Sequence, residues 1–186
     1  IGVAVIDPTH MSQEEMEAEI RLRYLEQGFV GMKPYHQMNL HYDNEMFTPW
    51  WEFGNKHQLY ALIHTMAYTG GVPCVERLAA RFPEVSWLIA HAGKSWAYAE
   101  EVAALIQTHR NVYAEITYTA VTNGSLEFFT EVGLEDHVIF GTDAPMRDPR
   151  QQLGWVVWAN LPVETRQKML HGNFQRILDR VKLPKK

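Results

Sequence analysis

The sequence predicts an α/β fold of repeated parallel βα units, closing as a (β/α)8 barrel of which six units are visible. Three observations predict it. Six short apolar runs recur along the 186 residues, and helical patterns fill the spaces between them. The runs are apolar at successive positions, as strands covered on both faces are. Polar residues collect at the C-terminal ends of several runs, where barrel enzymes place their chemistry. The glycine-rich loop of an open nucleotide-binding sheet is missing after the first run, which continues instead as Asp7-Pro8-Thr9-His10.

The first strand is expected at Gly2–Ile6 and stops at Asp7-Pro8. Ser12 with Glu15 reads as a capping box, opening an amphipathic helix over Met16–Gln27 that Gly28 closes. The second strand is expected at Phe29–Pro34 and the following helix at Thr48–Leu59. Strands at Ala61–Thr65, Trp87–Ala92, Val112–Tyr118 and Val138–Gly141 then alternate with helices at Val72–Arg81, Trp96–Thr108 and Ser125–Thr130. Helices at Arg150–Trp158, Pro162–Leu170 and Gly172–Val181 end the chain. With 46% hydrophobic residues and no internal repeat or low-complexity linker, residues 1–186 read as one domain. A complete barrel takes about 200 residues or more, so two βα units are expected to be missing on the N-terminal side, where the sequence opens at Ile1 without an initiator Met.

The charge balance narrows the partners. Seventeen Lys and Arg against 22 Asp and Glu give a net charge of −5, and the one basic cluster is the Lys182–Lys186 tail. That pattern argues against nucleic acid and against an anionic membrane, and for a small-molecule substrate. Cys74 is the single cysteine, so no disulfide forms within the chain, which suits a reducing, cytoplasmic location. The apolar opening IGVAVI is too short for a signal-peptide core or a membrane span. Sheet edges left open by missing strands predict a homo-oligomer.

At their C-terminal ends the strands deliver Lys33 (GMKPY), His64 (ALIHT), His91 (LIAHAG), Glu115 or Thr117 (YAEITY) and Asp143 (FGTDAP). Two imidazoles and a carboxylate make a nitrogen and oxygen donor set suited to Zn2+ or a similar divalent ion. No short motif holds the three together, which suits a barrel, because neighbouring strands bring distant positions into reach. The other histidines, His10, His36, His41, His57, His109, His137 and His171, read as surface or hydrogen-bonded core residues. Glu115 has the ordinary reading of facing the outer helices, and Asp143 that of a helix cap or turn residue. The segment His36–Trp51, rich in Met, Tyr, His and Trp, is expected to cap the barrel mouth and shape a partly aromatic pocket.

The series GFVGMKPY, ALIHT, LIAHAG, FGTDAP and LHGNFQRIL, in this order, resembles the amidohydrolase superfamily. Within it the chain is most similar to the amidohydrolase-related hydrolases that include the aminocarboxymuconate-semialdehyde decarboxylase group. The resemblance implies a distorted TIM-barrel-like fold holding a divalent metal, usually Zn2+. It implies that His64 is a metal ligand on the fifth strand. His91 on the sixth becomes a second ligand or the histidine that polarises substrate and water. Asp143 on the eighth becomes a ligand that also acts as general base. Lys33 is placed to pair with a substrate carboxylate, and Asn173 belongs to a structural signature of the closing helix. One departure stands out: the family's first strand carries a His-x-His pair, and this sequence has no His-x-His. That implies a truncated chain, a barrel completed in another way, or a degenerate homologue.

The function expected from these residues is that of a metal-dependent hydrolase acting on a small carboxylate-bearing or cyclic substrate with metal-activated water. The alternative is non-oxidative decarboxylation of an aromatic or unsaturated carboxylic acid. A Schiff-base aldolase with Lys33 as nucleophile and an inactive or truncated barrel serving as an interaction subunit are the rivals from other classes.

Overall fold

In the computed structural model, six strands among the described residues follow chain order in one sheet: β1 (Val3–Ala4), β2 (Gly31–Met32), β3 (Tyr60–Ile63), β4 (Ser86–Ile89), β5 (Val112–Glu115) and β6 (Val138–Ile139). The pairs β1–β2, β2–β3 and β5–β6 run parallel. Helices α1 (Gln13–Ile20), α2 (Thr48–His57), α3 (Gly71–Arg81), α4 (Trp96–Thr108) and α5 (Ser125–Glu131) occupy the five connections in turn. After β6 come α6 (Pro149–Trp158), α7 (Val163–Gln167) and α8 (Asn173–Asp179). This is the α/β alternation the sequence predicts. The structure describes residues 1–118 and 120–184, so Lys185 and Lys186 of the basic tail lie outside the described residues. Two compact units divide the chain, one of Ile1–Trp87 with Ile177–Lys186 and one of Leu88–Arg176.

In the first unit the ladder register pairs Val3 with Gly31 and Gly31 with Tyr60. The capping box forms as expected: Ser12 Oγ accepts from Glu15 N–H, and Glu15 Oε2 accepts from Ser12 N–H at 2.7 Å. The helix starts at Gln13, ahead of the expected Met16, and its second half, Arg21–Glu26, is wound as a π-helix. Tyr24 on that turn is buried, donates to Gly31 O at 3.1 Å and accepts from Trp50 Nε1 at 2.8 Å. One phenol therefore fastens α2 to the end of the first helix and to β2.

The aromatic segment corrects an expectation. Tyr42, Phe47, Trp50 and Trp51 are buried core residues and do not line an open barrel mouth. Trp50 and Trp51 stack at 5.2 Å, Phe47 stacks on Trp51 at 5.6 Å, and Trp87 meets Trp51 edge-on at 5.2 Å. Such rings bury a large apolar area each, so they supply the packing of this unit. Trp51 Nε1 is satisfied by Tyr42 O at 2.8 Å, which lets the indole sit dry.

In the second unit β5 and β6 pair Ala114 with Val138 and Glu115 with Ile139. Helix α4 buries Ala99, Val102, Ala103 and Ile106, the helical spacing that marks its inner face. Asp148 caps α6 by accepting from Arg150 N–H at 3.0 Å. Asn173, fully buried, donates from Nδ2 to Glu135 O and Val138 O at 2.8 and 2.7 Å, the structural role its motif implies.

Every strand ends earlier than its apolar run. In the second unit the backbone turns beyond the strands, where His91, Tyr118 and Asp143 have φ of 63°, 135° and 59°. No described helix is long and apolar enough to cross a membrane.

Candidate functional site

Lys33, His36 and His64 come together in the first unit. Lys33 follows β2, its N–H held by Ala4 O at 2.8 Å, and His64 follows β3. Thr69 Oγ1 donates to His64 O at 3.0 Å and fixes the backbone at that point. The two imidazoles meet through Nδ1 at 2.9 Å, with ring centroids 4.6 Å apart and nearly perpendicular. One Nδ1 must donate and the other accept, so the two rings hold opposite tautomers. Burial, and then the charge of Lys33, lower the His36 pKa and favour the neutral ring that this bond needs. Tyr35 and Tyr68 flank His36 at 4.7 and 6.5 Å. His36, expected to be a surface or hydrogen-bonded histidine, is hydrogen-bonded to His64, and its place three residues beyond Lys33 is the signal that ties it to this cluster.

The second unit gathers His91, Glu115, Thr117, Tyr118, Asp143 and Arg147. His91 Nδ1 lies 3.0 Å from Thr117 O and 2.9 Å from Thr117 Oγ1. The Thr117 hydroxyl in turn donates to Glu115 Oε2 at 2.7 Å, and Thr117 N–H donates to Oε1 at 3.2 Å. Glu115 is only 4% exposed, so it does not face outward into solvent. Glu115 and Thr117 stand two residues apart, on one face of an extended chain, which is why the Thr117 hydroxyl meets both the Glu115 carboxylate and the His91 ring. Gly141 makes room for them: a Cβ there would strike Glu115 Oε1 and Thr117 Cγ2. The Tyr118 ring packs 4.9 Å from the His91 ring. On the other side of His91, a Cβ on Gly93 would strike the Trp155 indole, so α6 presses against this turn.

Asp143 is not a helix cap, since Asp148 has that role. Its carbonyl accepts from Arg147 N–H at 3.0 Å, and its Oδ2 lies 3.9 Å from Arg147 Nε. Both side chains are 37% exposed, so this long ion pair contributes little to stability. The Arg147 guanidinium also lies 5.8 Å from the Tyr118 ring centre. Thr117 is one of the residues the strand-end pattern places here, whereas Arg147 has no signal in that pattern.

Among the described residues no group of three or more His, Cys, Asp or Glu side chains is gathered to hold a metal ion. Taken singly, the donors have the right chemistry. His91 is gripped through Nδ1, as metal-binding histidines are when a second partner orients the ring. His64 is engaged through Nδ1 in the same way. Asp143 offers a carboxylate held only by a loose ion pair.

Comparison with known proteins places this arrangement. A sequence model described as Amidohydrolase matches residues 1–180. The chain belongs to the amidohydrolase family. A search of curated proteins found no match to it. Among solved structures this amidohydrolase is similar to an uncharacterised TIM-barrel protein of Bordetella bronchiseptica, with a TM-score of 0.75 and 20% identity over 96% of this chain and 66% of that one. It is similar to a 2,6-dihydroxybenzoate decarboxylase complexed with 2,6-dihydroxybenzoate, with a TM-score of 0.73 and 15% identity over 95% and 70% of the two chains. It is also similar to a dihydroxybenzoic acid decarboxylase of Polaromonas with bound manganese and an inhibitor, with a TM-score of 0.68 and 18% identity over 93% and 66%. At these identities the likeness establishes the fold, which is the TIM-barrel class. The amidohydrolase chain spans about two thirds of the length of these structures.

Proposed function

We propose that this amidohydrolase supplies the greater part of a metal-dependent catalytic centre acting on a small carboxylic acid, with non-oxidative decarboxylation of an aromatic acid as its reaction. The observation that carries the reading is the second-unit cluster, where a histidine, a carboxylate and an arginine converge around Tyr118 at the strand ends. The hydroxybenzoate decarboxylases of the same fold support the aromatic substrate. Hydrolysis of a cyclic or amide substrate is the second reading, favoured by the family's own description.

His91 and Asp143 are the ligands that the second unit would give to a divalent ion, and His64 is the donor that the first unit would give. Zn2+ suits two imidazoles and a carboxylate, and a manganese-bearing neighbour supports Mn2+ equally. Such an ion supplies Lewis-acid polarisation of a substrate oxygen. The protein's own groups manage the proton. In decarboxylation Asp143 would first take up a proton from solvent water and then pass it to the ring carbon, where the bond to the departing CO2 breaks and leaves its electron pair. In hydrolysis the same carboxylate takes a proton from the attacking water. In the second unit His91 would orient the reacting oxygen; in the first, Lys33 would offer a point charge to a carboxylate. We place the protein in the cytoplasm as a homo-oligomer; its lone thiol, Cys74, is fully buried and burial raises its pKa to about 12, so it stays protonated.

The test is metal analysis of the purified protein, followed by CO2-release assays on dihydroxybenzoates and hydrolysis assays on lactones and amides. Metal-dependent CO2 release that Asp143→Asn abolishes supports the reading. Turnover that survives both metal removal and Asp143→Asn overturns it.

A further inference from the structure

We propose that Glu115 and Thr117 are positioning residues that hold the His91 imidazole in its Nδ1–H tautomer and make Nε2 the lone-pair atom of the ring. The inference rests on the role proposed above for His91.

The argument is a count of hydrogens. A backbone carbonyl only accepts, so Thr117 O at 3.0 Å requires a proton on His91 Nδ1. The Thr117 hydroxyl has one hydrogen, and it is donated to Glu115 Oε2 at 2.7 Å. The hydroxyl oxygen, 2.9 Å from Nδ1, then shares the one Nδ1 hydrogen with Thr117 O as a second acceptor. Polarity runs one way, from ring to hydroxyl to carboxylate. Reversing it would set the carbonyl lone pair against a ring lone pair and a carboxylate oxygen against the hydroxyl oxygen. Each is a buried mismatch of the kind that costs more than a hydrogen bond returns.

The carboxylate is itself fixed. Oε1 accepts Thr117 N–H at 3.2 Å, so Glu115 grips Thr117 at two points. Ala92 N–H donates to Glu115 O at 2.9 Å, which locks the backbone after His91 to the end of β5. His91 holds a φ of 63°, a conformation that a non-glycine residue keeps only where its surroundings impose it. Glu115 and Thr117 do so through both side chain and main chain.

The experiment reads the tautomer directly. In the full chain labelled with 15N-histidine, two-bond 1H–15N correlations are recorded with the imidazoles neutral, and His91 is assigned by comparison with His91→Gln. The native chain is expected to show the Nδ1–H pattern, and Thr117→Ser, which keeps the hydroxyl, to show it too. Glu115→Gln presents an amide nitrogen to the hydroxyl, lets it turn toward the ring and raises the Nε2–H population severalfold. Should Glu115→Gln not fold, Thr117→Val replaces it in the comparison, with the same rise expected relative to Thr117→Ser. An Nε2–H pattern in the native chain overturns the proposal, as do equal tautomer populations in the native chain and in whichever of these two variants folds. The measurement needs no metal and no substrate, so an error about the reaction leaves its result standing.

Discussion

The side-chain amide of Asn173 donates to the carbonyl oxygen of Val138 at 2.7 Å, so the first residue of α8 is bound to β6. Its second hydrogen goes to Glu135 O at 2.8 Å. Asn173→Leu removes both donors and leaves two acceptors unpaired in a dry site, each costing about 1–3 kcal/mol. Urea unfolding is expected to show a fall of about 2–6 kcal/mol in stability, whereas Asn173→Gln should not restore the bonds, because its amide sits one methylene further out.

Tyr24→Phe is predicted to destabilise the first unit by about 1–3 kcal/mol, because Trp50 Nε1 and Gly31 O both lose their partner. Burial also raises the Tyr24 pKa far above its ordinary value. The unfolded phenol ionises near pH ~10, while the folded one stays protonated. The contribution is therefore complete below that pH and declines as pH rises beyond it. Chemical denaturation of the native chain and of Tyr24→Phe between neutral and alkaline pH should show the smaller decline in the variant.

His137 sets a limit on the acid side. Burial lowers its pKa, and Nδ1 donates to Val112 O at 2.9 Å. The unfolded ring takes a proton near pH ~6.5, whereas the folded ring resists it. Its contribution is thus present above that value and lost as pH falls. His137→Phe, which packs but does not titrate, is expected to flatten the decline in unfolding midpoint between pH 7 and pH 5, roughly the range an unperturbed histidine spans.

Gly141→Ala tests the space around Glu115. The added methyl must displace the Glu115 carboxylate and the Thr117 methyl, since a Cβ at this position would fall on both. Overpacking of this kind costs about 1–3 kcal/mol. Gly141→Ala is expected to lower the unfolding midpoint by that amount, and a crystal structure of the variant should show Glu115 turned away from Thr117.

Much of the fold was legible because helical signals are local. Helix α4 falls at Trp96–Thr108 in both sequence and structure, and the Ser12–Glu15 box opens its helix as read. Strand ends were not legible, because an apolar run does not show where pairing with the neighbouring strand stops. The residues His64, His91, Asp143 and Glu115 or Thr117 follow from the strand-end rule, while which of them pair does not. Thr117 reaches His91 across 26 positions of sequence and His36 reaches His64 across 28, distances over which no pattern in a single sequence speaks. The aromatic run at His36–Trp51 misled for the opposite reason. Tryptophan density marks a pocket and a core equally well, and only packing decides between them.

The distribution of indoles gives each unit its own optical signature. Trp50, Trp51 and Trp87 are at most 1% exposed in the first unit, whereas Trp96 and Trp158 of the second are 45% and 86% exposed. Blue-edge emission therefore reports loss of order in the first unit, and iodide quenching reaches the second unit's indoles ahead of it. A single fluorescence titration can show whether the two halves melt together or in succession.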